Sequence, residues 1–378
     1  MSGYQILVLT PFFMIREGVS IFCRMLLDNL SSDFHADYLE VGNRPGNHSF
    51  MRRLFYLIDT AHKLITKLRN CDYDVIHVNP SFSVYSLLRD SLYLSIISRF
   101  GHIDRTIVFF HGWDIGLAER MMSKSVWKSI FVKIYKRVGL IFVLHKQCEQ
   151  QLLGMGINHQ KIKVTTTMYG PSIGESKRHS MEKADEKVII LFMSRMVEGK
   201  GAGIAAEVAK LLVENGYSDF HLIFAGVGPL LPELREFTAE NSLSEYVDIF
   251  GYVSGMKKQE ILRKGDIFIL PTWLHEGCPL AIMEAMGAGQ AIVSTPRGAI
   301  PDIVKDGENG FICDSKDPRV FYETVRRLLD NRELLHNMQK VNKKKAEENY
   351  EAGTYMRSME KVYLSIINRT TDPTGIGK

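Results

Sequence analysis

Short runs of apolar residues alternate with longer mixed segments along the whole chain. The first half contains the runs QILVLT, DVIHV, TIVFF, GLIFVL and KIKVTTT. The second half contains KVIILFM, FHLIFAG, VDIFGYV, DIFILP and AIVST. Near-continuous apolar strands that are separated by helical patterns are typical of parallel sheets covered on both faces. The pattern therefore predicts an α/β protein with two doubly wound parallel sheets.

A polar segment separates the two halves. Residues 171–187, PSIGESKRHSMEKADEK, follow Gly170 and lie between apolar runs. This composition predicts an interdomain linker, with one domain over 1–170 and a second over 188–349. Ligands of doubly wound sheets bind at the carboxyl ends of the strands, so the cleft between the two domains is the expected binding site.

Composition excludes several other classes of protein. At 378 residues and 45% hydrophobic, the chain is long enough for two folded domains. No apolar run approaches the ~20 residues that cross a bilayer, and the N-terminus resembles a first strand rather than a signal peptide. Five scattered cysteines without a C-x-x-C pair argue against a disulfide framework and a structural zinc site. A cytoplasmic location fits this composition best.

Positive charge is concentrated in the first half. Residues 1–170 carry a net charge of +7 and the remainder −3, within a total of +4. The excess collects in two amphipathic patterns, 49–70 and 119–139, in which aromatic and basic residues are mixed. Such surfaces bind anionic membranes, although solvated helix faces with buried aromatics would produce the same pattern. No nucleic-acid-binding module is recognisable, so we expect no nucleic-acid partner.

Two carboxylates stand out in the segment HEGCPLAIMEAMGAG. Glu276 lies just before a predicted helix, and Glu284 lies on its second turn. Pro279 suits the start of a helix, and the amides at such a start favour phosphate. Carboxylates beside them could accept hydrogen bonds from sugar or ribose hydroxyl groups. Alternatively, Glu276 complements the helix dipole and Glu284 lies on a solvated face.

Two cations follow the first strand of the second half. Arg195 and Lys200 lie in SRMVEGKGAGIAAE, immediately ahead of a predicted helix. Two cations at the carboxyl end of a strand could hold a diphosphate leaving group without a metal ion; a solvated basic loop is the alternative. The overlapping Gly201-x-Gly203-x-x-Ala206 is a weak dinucleotide signal because it begins several residues after the strand.

Other candidate residues also follow predicted strands. His111 ends the strand TIVFF, and Gly18 lies between the first strand and the first helix, where glycine permits close approach of a ligand. The segments AGVGP (225–229) and FGYV (250–253) could form a floor beneath a nucleotide base. Asp72-Tyr73-Asp74 has the D-x-D form of a metal site, but its position immediately before VIHV indicates the start of a strand.

Taken together, these segments resemble the family 4 glycosyltransferases, which have the two-domain GT-B fold. The resemblance spans nearly the whole chain. It rests on Gly18, His111-Gly112, Arg195 with Lys200-Gly201, AGVGP, the E-x7-E pair and the segment GQAIVSTPRGAIPDIVKDGENGFI. It also implies that the C-terminal helix, 350–368, packs back on the first domain.

The resemblance implies a role for each matching residue. Glu284 would bind the ribose hydroxyls of a UDP-sugar or GDP-sugar, and Glu276 the hydroxyls of the donor sugar. Arg195 and Lys200 would stabilise the leaving diphosphate, and His111 would lie on the acceptor side near the reacting carbon. The remaining donor-binding candidates are Gly18, Gly226, Tyr252, Val253, Gly277, Cys278, Pro279 and Leu280.

The function implied is that of a retaining, metal-independent hexosyltransferase that needs no cofactor. Its acceptor would be a saccharide, with a lipid-linked saccharide of cell-surface polysaccharide biosynthesis as our hypothesis, and its location the inner face of the cell membrane. The alternatives are a nucleotide-sugar epimerase on the same fold and a non-catalytic nucleotide-sugar-binding protein. Ser194, where the family often has glycine, and the single glycine of the first loop depart from the family pattern.

Overall fold

The computed structural model describes residues 3–14, 18–42, 49–122, 126–170 and 187–371. Two sets of residues form separate structural units. One comprises Met1–Thr167 with Tyr355–Lys378, and the other Met168–Thr354. Of the predicted linker 171–187, all but Lys187 lies outside the described residues.

The first unit contains a six-stranded parallel sheet with the order β2-β1-β3-β5-β7-β8, and β4 pairs only with β6. Its strands are β1 (Tyr4–Thr10), β2 (Phe34–Glu40), β3 (Val75–Val78), β4 (Ser81–Phe82), β5 (Thr106–Phe109), β6 (Gly112–Trp113), β7 (Leu140–Val143) and β8 (Ile162–Val164). Its helices are α1 (Gly18–Asp28), α2 (Phe50–Asn70), α3 (Val84–Arg99), α4 (Ile115–Met122), α5 (Val126–Tyr135) and α6 (Lys146–Met155). Strands β3, β5 and β7 are buried along their whole length, as their continuous apolar runs predict.

The C-terminal helix, α14 (Ala352–Thr371), packs against the sheet of the first unit. The Tyr363 hydroxyl lies 2.7 Å from Nδ1 of the buried His77 on β3. Tyr355 makes an edge contact with Phe22 of α1, at 5.9 Å between ring centroids. A segment remote in sequence therefore completes the core of the first unit.

The second unit contains a six-stranded parallel sheet with the order β11-β10-β9-β12-β13-β14. Its strands are β9 (Val188–Met193), β10 (Phe220–Ala225), β11 (Val247–Phe250), β12 (Ile267–Leu270), β13 (Ala291–Ser294) and β14 (Gly310–Ile312). Its helices are α7 (Ala202–Glu214), α8 (Leu231–Glu240), α9 (Gly255–Lys264), α10 (Leu280–Gly287), α11 (Ile300–Ile303), α12 (Pro318–Asp330) and α13 (Arg332–Asn349).

The strand order of each sheet reverses once, and this reversal locates the expected ligand site. In the second unit the chain runs outward from β9 to β11, then returns to the other side of β9 to form β12. In the first unit the reversal lies between β1 and β3. Ligands of doubly wound sheets bind at the carboxyl ends of strands beside such a reversal. Both units have the predicted doubly wound α/β architecture.

Throughout the described ranges, every helix is too short or too polar to cross a bilayer.

Candidate functional site

Glu276 lies at the carboxyl end of β12, in the loop before α10. Its side chain is buried and accepts two hydrogen bonds at Oε1. One comes from Lys200 Nζ over 2.5 Å and the other from Thr272 Oγ1 over 2.8 Å. The two loops that meet here follow β9 and β12, the neighbouring strands at the sheet reversal. The structure thus brings together Glu276 and Lys200, two of the residues predicted from the sequence.

The backbone of Glu276 is held by a second loop. Ala299 donates its backbone N–H to the Glu276 carbonyl oxygen over 3.1 Å. Gly298 has φ +58°, and a Cβ atom there would overlap the Glu276 carbonyl oxygen. Only glycine fits this left-handed conformation and close approach. The turn after β13 therefore fixes the position of the Glu276 backbone.

Glu284 lies on the second turn of α10, as predicted. Lys258 of α9 donates to Glu284 Oε1 over 2.6 Å. Burial raises the pKa of the Glu284 carboxyl group, and the Lys258 ammonium group opposes this effect. Sequence reasoning missed Lys258 because it is 26 residues distant from Glu284 and stands in an ordinary charged helix.

Arg195 and Lys200 occupy different environments, although both follow β9. Lys200 is largely buried and paired with Glu276, whereas Arg195 is exposed. Gly201 caps α7 with φ +88°, and a Cβ atom there would overlap the Pro271 carbonyl oxygen. The loop that carries both cations is thereby pressed against the end of β12. Arg195 is left at the surface of this edge of the sheet.

Three other predicted donor-binding residues, Gly226, Tyr252 and Val253, lie on neighbouring loops of the same sheet edge. Gly226 begins the loop after β10, and its backbone N–H donates to the Gly251 carbonyl oxygen over 3.0 Å. Tyr252 is 64% exposed, and Val253 packs partly against the core. Both lie between β11 and α9, the helix that carries Lys258.

The start of α10 follows Glu276 directly. The helix begins at Leu280, with Pro279 as the residue that caps it. Gly277 and Cys278 complete the connection between Glu276 and the helix. Pro279 has no N–H, as the sequence indicated, so the amides at this helix start belong to the flanking residues. A helix start beside buried charged side chains is suited to binding an anion.

His111 lies in the first unit, immediately after β5, and its ring is held in one orientation. Asn79 donates its amide to the Leu9 carbonyl oxygen over 3.1 Å. This bond turns Asn79 Oδ1 towards His111 Nε2, which lies 2.9 Å away. His111 Nε2 must therefore carry the proton, which leaves Nδ1 as a hydrogen-bond acceptor. Sequence reasoning did not identify Asn79.

The His111 ring is also surrounded by aromatic side chains. Its centroid lies 4.0 Å from that of Phe109 and 4.7 Å from that of Phe22. Burial, and to a lesser extent the charge of His77, lowers the pKa of His111 to about 3. The imidazole is therefore neutral at neutral pH.

Two further sequence predictions concern the first unit. Gly18 is the first residue of α1, and a Cβ atom there would meet no heavy atom within 4 Å. Protein packing alone therefore does not require glycine at this position.

In Asp72-Tyr73-Asp74, Asp74 Oδ2 accepts a hydrogen bond from the Gln5 backbone N–H over 2.8 Å. Asp74 thus holds the start of β3 beside β1, as the strand-start interpretation predicts.

The two basic, aromatic segments differ in what they expose. On α2, which covers most of 49–70, an apolar face is exposed at Phe50, Met51, Leu54, Phe55 and Ile58. In 119–139, residues 123–125 lie outside the described residues. Phe131 and Tyr135 of that segment are buried and stack on each other with centroids 4.1 Å apart. These two aromatics belong to the core, whereas the apolar side chains named on α2 are exposed.

The second unit resembles a known protein family. Residues 174–345 match the family of glycosyl transferases group 1. The matched range contains Arg195, Lys200, Glu276 and Glu284, together with Lys258. It lies within the second unit, Met168–Thr354.

Relatives resemble the chain over different lengths. The amylovoran biosynthesis glycosyltransferase AmsK of Erwinia amylovora is 26% identical over 229 residues, which cover 59% of this chain and 55% of AmsK. The putative colanic acid biosynthesis glycosyltransferase WcaL of Salmonella typhimurium is 26% identical, over 55% of this chain and 51% of WcaL. The chain therefore spans about half the length of these relatives. A third relative matches over more of its length. It is a UDP-Gal:α-D-GlcNAc-diphosphoundecaprenol α-1,3-galactosyltransferase of Escherichia coli, and it is 23% identical over 88% of this chain and 86% of the galactosyltransferase.

Solved structures resemble the chain in fold. HepE of Anabaena, crystallised with UDP and glucose, superposes with a TM-score of 0.70 at 14% identity, over 96% of this chain and 100% of HepE. A glycosyltransferase of Rickettsia africae superposes with a TM-score of 0.72 at 16% identity, over 97% of this chain and 99% of its own. The fold is therefore GT-B-like, with two Rossmann-like units.

Proposed function

We propose that this protein is a retaining glycosyltransferase that moves a hexose from a UDP-sugar or GDP-sugar to a lipid-linked saccharide. The observation that carries the proposal is the pairing of Glu276 with Lys200 beside the start of α10, at the reversal of the second sheet. This arrangement combines a carboxylate that accepts hydrogen bonds from sugar hydroxyl groups, a cation that can bind phosphate, and the start of a helix.

The proposed donor is held by charges of this chain alone. Glu284 accepts hydrogen bonds from the ribose hydroxyls, and Lys258 opposes the rise in the pKa of that carboxyl group that burial causes. Glu276 accepts hydrogen bonds from hydroxyls of the donor sugar. Arg195 and Lys200 neutralise the diphosphate as it leaves, which is the stabilisation that a phosphate leaving group requires. We propose that neither a metal ion nor a cofactor takes part.

The proposed reaction keeps the configuration of the anomeric carbon. The bond from that carbon to the diphosphate oxygen breaks, and the bond to the acceptor hydroxyl oxygen forms on the same face. The departing phosphate oxygen takes the hydroxyl proton, so a separate protein base is not needed. His111 is neutral and offers Nδ1 as an acceptor, so it positions a substrate hydroxyl by a hydrogen bond.

The names of relatives and neighbours support the substrate classes of this proposal. HepE was crystallised with UDP and glucose. The name of the Escherichia coli relative gives UDP-Gal as the sugar donor and a diphosphoundecaprenol-linked GlcNAc as the acceptor. AmsK and WcaL are named for the biosynthesis of amylovoran and colanic acid. We therefore place the reaction in the assembly of a cell-surface polysaccharide.

A lipid-linked acceptor requires contact with a membrane, and α2 offers the surface for it. Phe50, Phe55 and Ile58 are 77%, 64% and 61% exposed, and Arg52 and Arg53 are exposed in the same turns. A helix with an exposed apolar face and nearby basic side chains binds favourably at the surface of an anionic bilayer. We propose that the protein acts in the cytoplasm, bound to the inner face of the cell membrane through α2.

The experiment that tests this function separates a transferase from the two alternatives. The purified protein is incubated with a UDP-sugar or GDP-sugar, with and without a lipid-linked acceptor in anionic vesicles, and the sugars are followed by NMR. The acceptor is GlcNAc-diphosphoundecaprenol or a diphosphoundecaprenol-linked disaccharide. A transferase releases nucleotide and forms an acceptor-linked sugar whose anomeric configuration matches that of the donor. An epimerase isomerises the donor without acceptor, and a binding protein changes neither compound.

The variants Arg195→Ala and Glu276→Gln should abolish transfer, whereas Glu236→Gln, an exchange of an α8 carboxylate outside the site, should not. An inverted product would contradict the retaining mechanism. Isomerised donor in the absence of acceptor would replace the transferase proposal with the epimerase alternative.

A further inference from the structure

A cavity of the first unit lies between α2 and the edge of the sheet, apart from His111. Its volume is about 200 Å³, and Phe12, Tyr38, Glu40, Tyr56, Asp59 and Lys63 contribute to its lining. None of these residues belongs to the candidate donor site, which lies in the second unit.

The local folding of two elements brings these side chains together. Tyr56, Asp59 and Lys63 are spaced three and four residues apart, so they share one face of α2. Tyr38 and Glu40 are alternate residues of β2 and therefore point to the same side of the sheet. Phe12 follows β1, the strand beside β2. The cavity thus lies at the carboxyl ends of β1 and β2, the edge on which His111 follows β5.

The chemistry of the lining suits a polyhydroxylated ring. Two tyrosine rings offer flat apolar faces with polar tips, and the carboxylates of Glu40 and Asp59 accept hydrogen bonds from hydroxyl groups. Asp59 is held by Lys63 over 2.8 Å, and Glu40 accepts the Phe13 backbone N–H over 2.9 Å. These bonds fix both carboxylates before a ligand arrives. Because carboxylates outnumber the ammonium group, a phosphate or carboxylate ligand is disfavoured.

We propose that this cavity binds a neutral sugar ring of the acceptor, in a unit that does not itself react. This inference rests on the proposed transferase function. Strands β2 and β5 are three positions apart in the sheet, which corresponds to about 14 Å. A ring in the cavity is therefore too far from His111 to be the reacting unit, and the acceptor is an oligosaccharide with at least one further sugar.

The position of the cavity agrees with a lipid-linked oligosaccharide. At about 100° per residue along a helix, the face of α2 that carries Tyr56, Asp59 and Lys63 is centred about 140° from the centre of the exposed apolar face, although Phe55 and Asp59 are only about 40° apart. If the centre of the apolar face rests on a bilayer, the cavity opens on the side of α2 that is turned away from the lipid. A sugar in the cavity would then lie in water.

Saturation-transfer difference NMR with the methyl glycosides of glucose, galactose and N-acetylglucosamine tests the proposal. The full-length protein should give signals from at least one glycoside. Tyr56→Ala and the nearly isosteric Asp59→Asn should each weaken binding about tenfold, as expected for the loss of one stacking face or one charged acceptor. Tyr85→Ala, which removes an exposed tyrosine of α3, serves as the control.

The variant Glu276→Gln distinguishes glycoside binding in the cavity from glycoside binding at the donor site. If the glycosides bind in the cavity, this variant should leave their signals unchanged. Signals that Glu276→Gln abolishes, or that survive both cavity variants, would overturn the cavity proposal, as would no signal from any glycoside. Nucleotide binding to the same samples reports on the donor site independently. Intact nucleotide binding with no glycoside signal would reject the cavity proposal alone, whereas loss of nucleotide binding would reject the proposed function.

Discussion

Lys258 of α9 donates a hydrogen bond to Glu284 of α10 over 2.6 Å. Burial raises the pKa of Glu284, and Lys258 lowers it. The ammonium group therefore favours the ionised form, which is the form that the proposed hydrogen bonds with ribose hydroxyls require. One ion pair connects the helix after the predicted base-binding loop with the helix that carries the second glutamate.

Replacing Lys258 should weaken nucleotide binding in a pH-dependent manner. Without its ammonium group the pKa of Glu284 rises further, so the carboxylate becomes protonated at a higher pH. We expect Lys258→Met to lower nucleotide affinity about tenfold near neutral pH and to move the acid decline of binding to higher pH. Titration calorimetry over a pH series measures both effects.

Lys257→Met provides the matched control because Lys257 is adjacent in sequence and pairs with Glu260 at the surface. It should bind nucleotide as the unaltered protein does. Equal pH profiles for Lys258→Met and Lys257→Met would contradict the role assigned to Lys258.

The turn at Gly298 should be equally sensitive to substitution. A methyl group at this position overlaps the Glu276 carbonyl oxygen, so Gly298→Ala must displace the loop that holds Glu276. A displacement near 1 Å can reduce turnover by roughly a hundredfold, and we expect a loss of that order in the transfer assay. The melting temperature should also fall because alanine is strained at φ +58°.

Gly203→Ala is the control for this substitution. Gly203 lies in the first turn of α7, and a Cβ atom there meets no heavy atom within 4 Å. Alanine in a helix is favoured over glycine by up to about 1 kcal/mol, so this variant should be as active and at least as stable. Full activity of Gly298→Ala would show that this turn does not position Glu276.

The contact between Asn79 and His111 predicts a change in the pH dependence of turnover. A carboxylate at position 79 would favour the imidazolium form and raise the pKa of His111 from about 3. In Asn79→Asp, turnover should therefore fall as the pH decreases through neutrality, because His111 then loses its acceptor at Nδ1. The unaltered protein should show no such acid decline of turnover from His111, since the pKa of His111 lies far below the pH range of the assay.

Asn79→Ala separates charge from orientation, because it removes the hydrogen bond without adding a carboxylate. Its turnover should be lower at every pH, without the new acid decline. Nitrogen-15 NMR of the histidine rings, assigned with His111→Gln, reports the tautomer directly. A proton on Nδ1 of His111 in the unaltered protein would refute the orientation by Asn79.

The apolar face of α2 predicts selective binding to anionic vesicles. The double variant Phe55→Ser, Ile58→Ser removes two exposed apolar side chains. It should weaken sedimentation with phosphatidylserine-containing vesicles by about 2 kcal/mol, roughly thirtyfold. High salt should weaken the binding of the unaltered protein because part of the attraction comes from basic side chains.

The control Val320→Ser removes an exposed apolar residue of α12 in the second unit and should sediment normally. Salt-independent sedimentation, or equal sedimentation of both variants, would exclude α2 as the membrane-binding surface.

Most of the fold could be predicted from the apolar runs, and the exceptions have a physical reason. The buried strands are continuous in apolar residues, so β9, β12 and β13 stand out in the sequence. Strands β2 and β14 were missed, and each forms the edge of its sheet. Four of the seven residues of β2, within FHADYLE, are exposed, and β14 has only three residues. An edge strand of this kind has the composition of a loop.

The site was predicted only where its residues are neighbours in a recognisable segment. Glu276, Glu284 and Lys200 were found through their positions after strands and before helices. Lys258 and Asn79 act through contacts that span 26 and 32 residues, and neither residue has a distinctive sequence context. The burial of Phe131 and Tyr135 was likewise unreadable, because a basic amphipathic pattern does not distinguish a lipid-facing aromatic from a core aromatic.

Thermal shift with UDP, GDP, ADP and CMP, and with their common sugar conjugates, tests the central claim most directly. A ligand present at ~1,000 times its dissociation constant stabilises the folded state by about 4 kcal/mol. We predict a selective rise in melting temperature with one nucleotide, lost in Glu284→Ala and retained in Glu260→Ala, which removes a surface carboxylate of α9. No rise with any nucleotide, or a rise that survives Glu284→Ala, would contradict the donor site proposed for the second unit.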